Sequence, residues 1–158
     1  MKTKIVVFAV LTLATTLTVN EQRAESSINV KSKNELFSLY GDMFKINKTL
    51  MKAICKKENP KGDSKLINKN KNGSTDYGLC QVNDRSAKEI CKINNPQELL
   101  DEETNIYCAY KIFKSKFVYK NSKKVDDNII RRYNGYDKSE SNKNYTKEVV
   151  NLMVTMLD

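Results

Sequence analysis

A helical rhythm of apolar residues runs along most of this chain and is broken once, between residues 66 and 84, by a stretch suited to turning and extending. From Asn34 onward, Leu36, Phe37, Tyr40, Met43 and Phe44 recur at the spacing that places one apolar stripe on a helix. Asn47 can cap a second helix bearing Leu50, Met51, Ile54 and Cys55 on one face, which Pro60 and Gly62 end. Then comes the break. Asn72-Gly73 is a strong two-residue hairpin signal, and Tyr77-Gly78-Leu79-Cys80-Gln81-Val82 follows as a short extended run. Asp84 or Ser86 can cap a helix carrying Ala87, Ile90 and Cys91, stopped by Asn94-Asn95-Pro96. Asp101, Glu102 and Glu103 suit the positive end of a longer helix dipole, with Ile106, Tyr110, Phe113 and Phe117 as its buried stripe. Ile129, Ile130 and Tyr133 mark a helix before Gly135, and a last one from about Asn144 turns Tyr145, Val149, Leu152, Met153 and Met156 inward. The expected fold is mainly α, an α+β arrangement with one small β-hairpin among the helices. There is no internal repeat, and no linker beyond a short segment near residues 25 to 33.

A chain of 158 residues holds one domain and a short appendage. Lys2 and Lys4 precede an apolar run from Ile5 to about Val19, too short to span a bilayer comfortably, so residues 1–24 read as an export signal and 25–158 as the mature domain. Ala24, with Gln22 at minus three, is the candidate cleavage point. A small-x-small site is missing, and an uncleaved anchor is the alternative. No later segment is apolar enough to span a membrane, so the expected product is exported, with no stable span once the signal is removed. Export permits disulfides among Cys55, Cys80, Cys91 and Cys108, with three pairings open; buried free thiols are the other reading. Their spacing is unlike a zinc site, and the chain has no His, so no metal, no cofactor and no His base is expected. The net charge is +9; the first 24 residues hold three cations (Lys2, Lys4, Arg23) and one anion (Glu21), leaving +7 on the remainder. Such a field favours a polyanionic surface. The lysines are spread among asparagines without a dense run, and with an export signal this argues for the acidic cell wall and against nucleic acid.

One residue stands out on the second helix. Continuing its apolar stripe by a turn lands on Glu58, and a carboxylate in register with an apolar face is costly to bury. Cleaving a glycosidic bond needs a carboxylic acid still protonated near neutral pH, and an apolar setting raises a carboxyl pKa accordingly. Asp76 lies past the turn in Gly73-Ser74-Thr75-Asp76-Tyr77-Gly78, among polar groups that favour its ionised form, so two carboxylates of different character can flank a cleft. Spacing alone is equally compatible with Asp76 bonding turn amides, Gln81 satisfying the hairpin and Tyr133 packing in the core.

Four segments, in order, resemble the soluble lytic transglycosylase domain of the goose-lysozyme-like superfamily. They are AICKKE from Ala53 to Glu58, NKNKNGSTDYGLCQVN from Asn68 to Asn83, LLDEETNIYCAYKIF from Leu99 to Phe113 and RRYNGY from Arg131 to Tyr136. They span nearly all of residues 34 to 155. GSTDYG also resembles the matching stretch of animal c-type lysozymes. The resemblance implies a lysozyme-like fold, peptidoglycan glycan strands as substrate, and Glu58 as catalytic acid and base. It implies that Gly78, Leu79 and Gln81 line the sugar cleft, and that Tyr133 and Asn134 form a YN motif whose hydroxyl lies near the acid. Three positions depart from the family pattern. Asn59 stands where a serine usually follows the glutamate, Cys80 where methionine is usual, and Tyr136 where small residues are common.

The mechanism implied is two-step. Glu58 protonates the oxygen leaving N-acetylmuramic acid, the substrate's acetamido group stabilises the oxocarbenium-like centre, and Glu58 then takes the proton of the 6-hydroxyl that closes a 1,6-anhydro ring. Asp76 sits where c-type lysozymes carry their second carboxylate, which leaves open a hydrolytic muramidase. A catalytically inactive peptidoglycan-binding assembly protein is the alternative of another class. The nearest likeness, to small transglycosylases that accompany type III and type IV secretion systems and pili, implies a periplasmic location and such a machine as partner. The helix and hairpin placements favour two disulfides, Cys91 with Cys108 and Cys55 with Cys80.

Overall fold

A helix starts most readily where a side chain can take up the N–H groups that no helical turn can satisfy. The structure is a computed structural model that describes residues 30–117, 130 and 140–157. Helix α1 (Lys33–Phe44) opens on a capping box in which Ser32 Oγ accepts from the Glu35 N–H while Glu35 accepts from the Ser32 N–H at 2.7 Å. It stops where Lys45 turns left-handed at φ 58°. Helix α2 (Lys48–Glu58) follows, and Asn47 Oδ1 accepts from Thr49 and Leu50 N–H at 2.7 and 3.2 Å, as its position implies.

The β element is richer than a single hairpin. Strands β1 (Ile67–Lys69), β2 (Thr75–Tyr77) and β3 (Val82–Asn83) form an antiparallel sheet in that order, with Asn68 opposite Asp76 and Asp76 opposite Asn83. The first turn is not the two-residue loop that Asn72-Gly73 signals. It spans residues 70 to 74, closed by the Ser74 carbonyl accepting from Asn70 N–H at 2.8 Å, because the Asn72 side chain captures Ser74 N–H and widens it. The run from Tyr77 to Val82 is also broken, by Gly78 at φ 72° and Gln81 at φ 49°, and this second turn makes the third strand.

Helix α3 (Asp84–Ser86) is capped by Asn83 rather than by Asp84 or Ser86, since β3 delivers the Asn83 side chain onto the Arg85 N–H at 3.2 Å. It runs on as a wider π turn (Ala87–Cys91) that ends at left-handed Lys92. A 3-10 turn (Pro96–Leu100) leads into α4 (Glu102–Phe117), where Asp101 Oδ1 accepts from Thr104 N–H at 2.8 Å. The last described helix is α5 (Glu140–Thr155). The expected export segment 1–24, the expected helix around Ile129 and Tyr133, and the YN pair Tyr133 and Asn134 lie outside the described residues, apart from Ile130, which is helical and buried.

Helix α1 packs on α4 and α2 on α5, and the sheet touches the 3-10 turn, α3 and α4. Leu50, Met51 and Ile54 from α2, Ile106, Tyr110 and Phe113 from α4, and Val149 from α5 lose essentially all solvent contact, each contributing about 1.5–3 kcal/mol. Tyr110 keeps its hydroxyl satisfied by donating to the Phe37 carbonyl at 2.9 Å. Two disulfides, Cys55–Cys80 and Cys91–Cys108, use all four cysteines, in the pairing that the helix and hairpin placements favour. Among the described residues no helix is long and apolar enough to cross a membrane.

Candidate active site

Glu58 is the last residue of α2, one turn beyond the buried Ile54 and Cys55, so the apolar stripe delivers it partly buried against the sheet and α5. Its pKa lies above the ordinary carboxyl value. Desolvation is the main cause, and the nearby charge of Asp76 raises it further. Two groups oppose the rise: the Tyr145 hydroxyl, which donates to Glu58 Oε1 at 2.6 Å, and the Lys57 ammonium, which is itself ion-paired with Glu148 of α5. The outcome is a carboxyl that keeps its proton to higher pH than a solvated one, with a hydroxyl fixing one oxygen.

Asp76 lies at the centre of the middle strand, where β1 and β3 flank it. Its two oxygens accept from different neighbours: Oδ2 from Asn70 Nδ2 at 2.8 Å and Oδ1 from Asn83 Nδ2 at 2.7 Å. Asn70 and Asn83 also donate to Ser74 Oγ, at 3.1 and 2.9 Å, so one amide network holds the carboxylate and the turn together. Both of these donors are neutral amides, which hold the carboxylate without cancelling its charge. Asp76 is thus held by two asparagine side chains, and its charge also acts on Glu58.

Gly78, Leu79 and Gln81, expected to line the sugar cleft, lie in the turn between β2 and β3. Gly78 is buried, and a Cβ there would stand 2.4 Å from the Leu99 carbonyl and 2.5 Å from Asn105 Nδ2, so only glycine fits. Leu79 is buried and lines a groove with Phe37, Cys55 and Met156. Gln81 spends its amide locally: Nε2 donates to the Gly78 carbonyl at 2.8 Å and Oε1 accepts from Asn68 at 2.6 Å.

Two contributors are not singled out by the sequence. Periodicity puts Tyr145 on the inner face of the last helix and says no more; its hydroxyl donates to Glu58 Oε1. Asn105 sits one residue before the Ile106 stripe and is fully buried. Its Nδ2 donates to the Tyr77 and Leu99 carbonyls at 2.8 and 2.7 Å, and its Oδ1 accepts from Cys80 N–H at 2.8 Å. A polar residue abutting an apolar helical stripe was the available signal.

Comparison with known proteins places the chain in a family. A family model described as Transglycosylase SLT domain matches residues 35–151, which takes in α1 to α4, the sheet and Tyr145. Protein IpgF of Shigella flexneri is 38% identical over 60 residues, covering 38% of this chain and 39% of that relative. Protein IpgF of Shigella sonnei is 39% identical over 61 residues, again 38% of this chain and 39% of the relative. The match spans about two fifths of the length of these curated relatives. No solved structure matches significantly. Members of the matched family are lytic transglycosylases acting on peptidoglycan. With the family pattern running from α1 into α5, the chain belongs to the transglycosylase SLT domain family.

Proposed function

We propose that this protein cleaves the β-1,4 bond between N-acetylmuramic acid and N-acetylglucosamine in peptidoglycan, with Glu58 as acid and then base. The observation that carries the reading is Glu58 itself: a carboxyl at the end of an apolar stripe, its pKa raised by desolvation, with one oxygen bonded to the Tyr145 hydroxyl. The protonated carboxyl donates to the leaving glycosidic oxygen, and positive charge builds on the anomeric carbon. The substrate's acetamido oxygen meets that charge. Glu58, now an anion, takes the proton of the 6-hydroxyl as that oxygen bonds to the anomeric carbon, giving the 1,6-anhydro sugar and restoring the acid. Residues 1–24 direct export to the periplasm, and the positive charge favours the acidic wall. Local opening of that wall serves a secretion, conjugation or pilus apparatus.

A hydrolytic outcome is the second reading, motivated by Asp76, whose charge raises the Glu58 pKa and in this role would stabilise an oxocarbenium-like centre. One experiment separates the two. Purified sacculi are digested and the muropeptides weighed; the anhydro product is lighter by one water than the hydrolytic one. Glu58→Gln keeps the shape and loses the transferable proton, so its digest is expected to release no product. Release at the wild-type rate removes the mechanism in both forms.

A further inference from the structure

Glu58 is followed by Asn59, a polar residue with only 1% of its surface exposed. Its backbone N–H ends α2 by donating to the Cys55 carbonyl at 2.9 Å. Its side chain does more than close the helix. Oδ1 accepts from Asp63 N–H at 3.3 Å, while Nδ2 donates both to the Asp63 carbonyl at 2.7 Å and across to the Gly78 carbonyl at 3.3 Å. Both amide hydrogens are therefore engaged, one within the turn after α2 and one on the sheet.

The Gly78 carbonyl is a fixed point. It also accepts from Gln81 N–H at 3.2 Å and Gln81 Nε2 at 2.8 Å, while Gly78 N–H donates to the Leu66 carbonyl at 2.7 Å. A Cβ on Gly78 would meet Leu99 and Asn105, so this turn packs closely against the 3-10 turn and α4. Asp76 lies two residues before this point and Cys80 two residues after it. The end of α2 is thus joined to the sheet twice, by the Cys55–Cys80 disulfide before Glu58 and by the Asn59 amide immediately after it. One tie leaves a pivot; two ties on either side of a residue define its orientation.

We propose that Asn59 is a positioning residue, whose amide fixes the rotation of the α2 end about the Cys55–Cys80 link and so holds the Glu58 carboxyl at one setting relative to Asp76. The proposal rests on the reading of Glu58 as the acid. Serine is shorter and has a single donor, so Asn59→Ser cannot hold Asp63 and Gly78 at once. Misplacing a reacting group by about 1 Å costs about 100-fold in rate. Asn59→Ser is therefore expected to lower kcat on solubilised glycan strands about 10- to 100-fold, with KM within about threefold of wild type, well below the melting temperature. Glu58→Gln is the reference. If it is inactive while a folded Asn59→Ser turns over at the wild-type kcat, the positioning role is overturned and the acid stands; if Glu58→Gln turns over normally, the acid assignment itself fails. A kcat loss that disappears on cooling, in step with recovered folding, also overturns positioning. Should the serine variant not fold, hydrogen exchange at the Asn59 side-chain amide of the wild-type protein decides. Exchange only on global unfolding supports the tie, and exchange faster than that of the Cys80 backbone N–H overturns it.

Discussion

Glu58 pays for its position as an anion, and its neighbours divide into those that deepen that cost and those that relieve it. Burial and Asp76 hold the proton on; Tyr145 and Lys57 favour its release. The first catalytic step needs the protonated form, so activity is expected to fall as pH rises through the Glu58 pKa. Tyr145→Phe removes a bond that favours the anion. The falling limb of the kcat–pH profile is then expected to move to higher pH, and kcat at the optimum to drop about tenfold, the cost of about 1.4 kcal/mol in transition-state stabilisation. An unmoved limb returns Tyr145 to a packing role. Asp76→Asn tests the second carboxylate. The substituted side chain would offer one acceptor oxygen to two asparagine donors, so a stability loss of about 1 kcal/mol is expected whatever the catalytic role. A rate loss of at least about tenfold beyond that, measured where both proteins are fully folded, marks charge stabilisation. A wild-type rate leaves Glu58 as the sole catalytic carboxylate. At this scale the partial burial of Glu58 was legible, because it continues the apolar register of α2, whereas Asp76 drew attention only through its place in the GSTDYG stretch. Tyr145 was not legible, because a tyrosine on an inward stripe looks the same whether its hydroxyl meets a carboxylate or a carbonyl.

The sheet is the element whose shape the site depends on, and its local signals were only half informative. Asn72-Gly73 announces a turn, yet the length of that turn was set by the Asn72 side chain bonding Ser74. The second turn carries a non-glycine residue at positive φ, Gln81, which no local preference would choose. It is tolerated because Asn105 of α4 takes the Cys80 N–H and the Tyr77 carbonyl on one side while Gln81 Nε2 takes the Gly78 carbonyl on the other. Asn105→Leu is expected to leave three backbone groups without their partners and to cost about 3–5 kcal/mol of stability, read from denaturant unfolding. Faster hydrogen exchange at residues 77 to 81 should accompany it. A loss below about 1 kcal/mol would show that the sheet holds this turn without α4. The helices behaved differently. Ser32 and Asn47 cap through bonds to residues two or three positions away, and of these the Asn47 cap of α2 was read from sequence.

Across the whole molecule the Cys55–Cys80 disulfide joins the two parts that carry the carboxylates, the end of α2 and the sheet. Its cysteines are 25 residues apart, and replacing both by alanine is expected to cost about 3 kcal/mol, measured by thermal or denaturant unfolding against wild type. Because the link also anchors the helix that bears Glu58, activity should fall further than stability alone requires. Equal fractional losses of folded protein and of rate would assign the bond to stability only. Periodicity, caps and turn residues act over a few positions, and they sufficed for the helical class, the position of α1, α2 and α4, the turn element between them and the placement of Glu58 on an apolar stripe. Folding in three dimensions added that Tyr145 meets Glu58 from 87 residues away, and that Asn59 and Asn105 converge on the turn around Gly78. Those contacts join segments far apart in the chain. Their partners are chosen by packing and by the need of every buried N–H and C=O for a partner, and neither is written in any short window of residues.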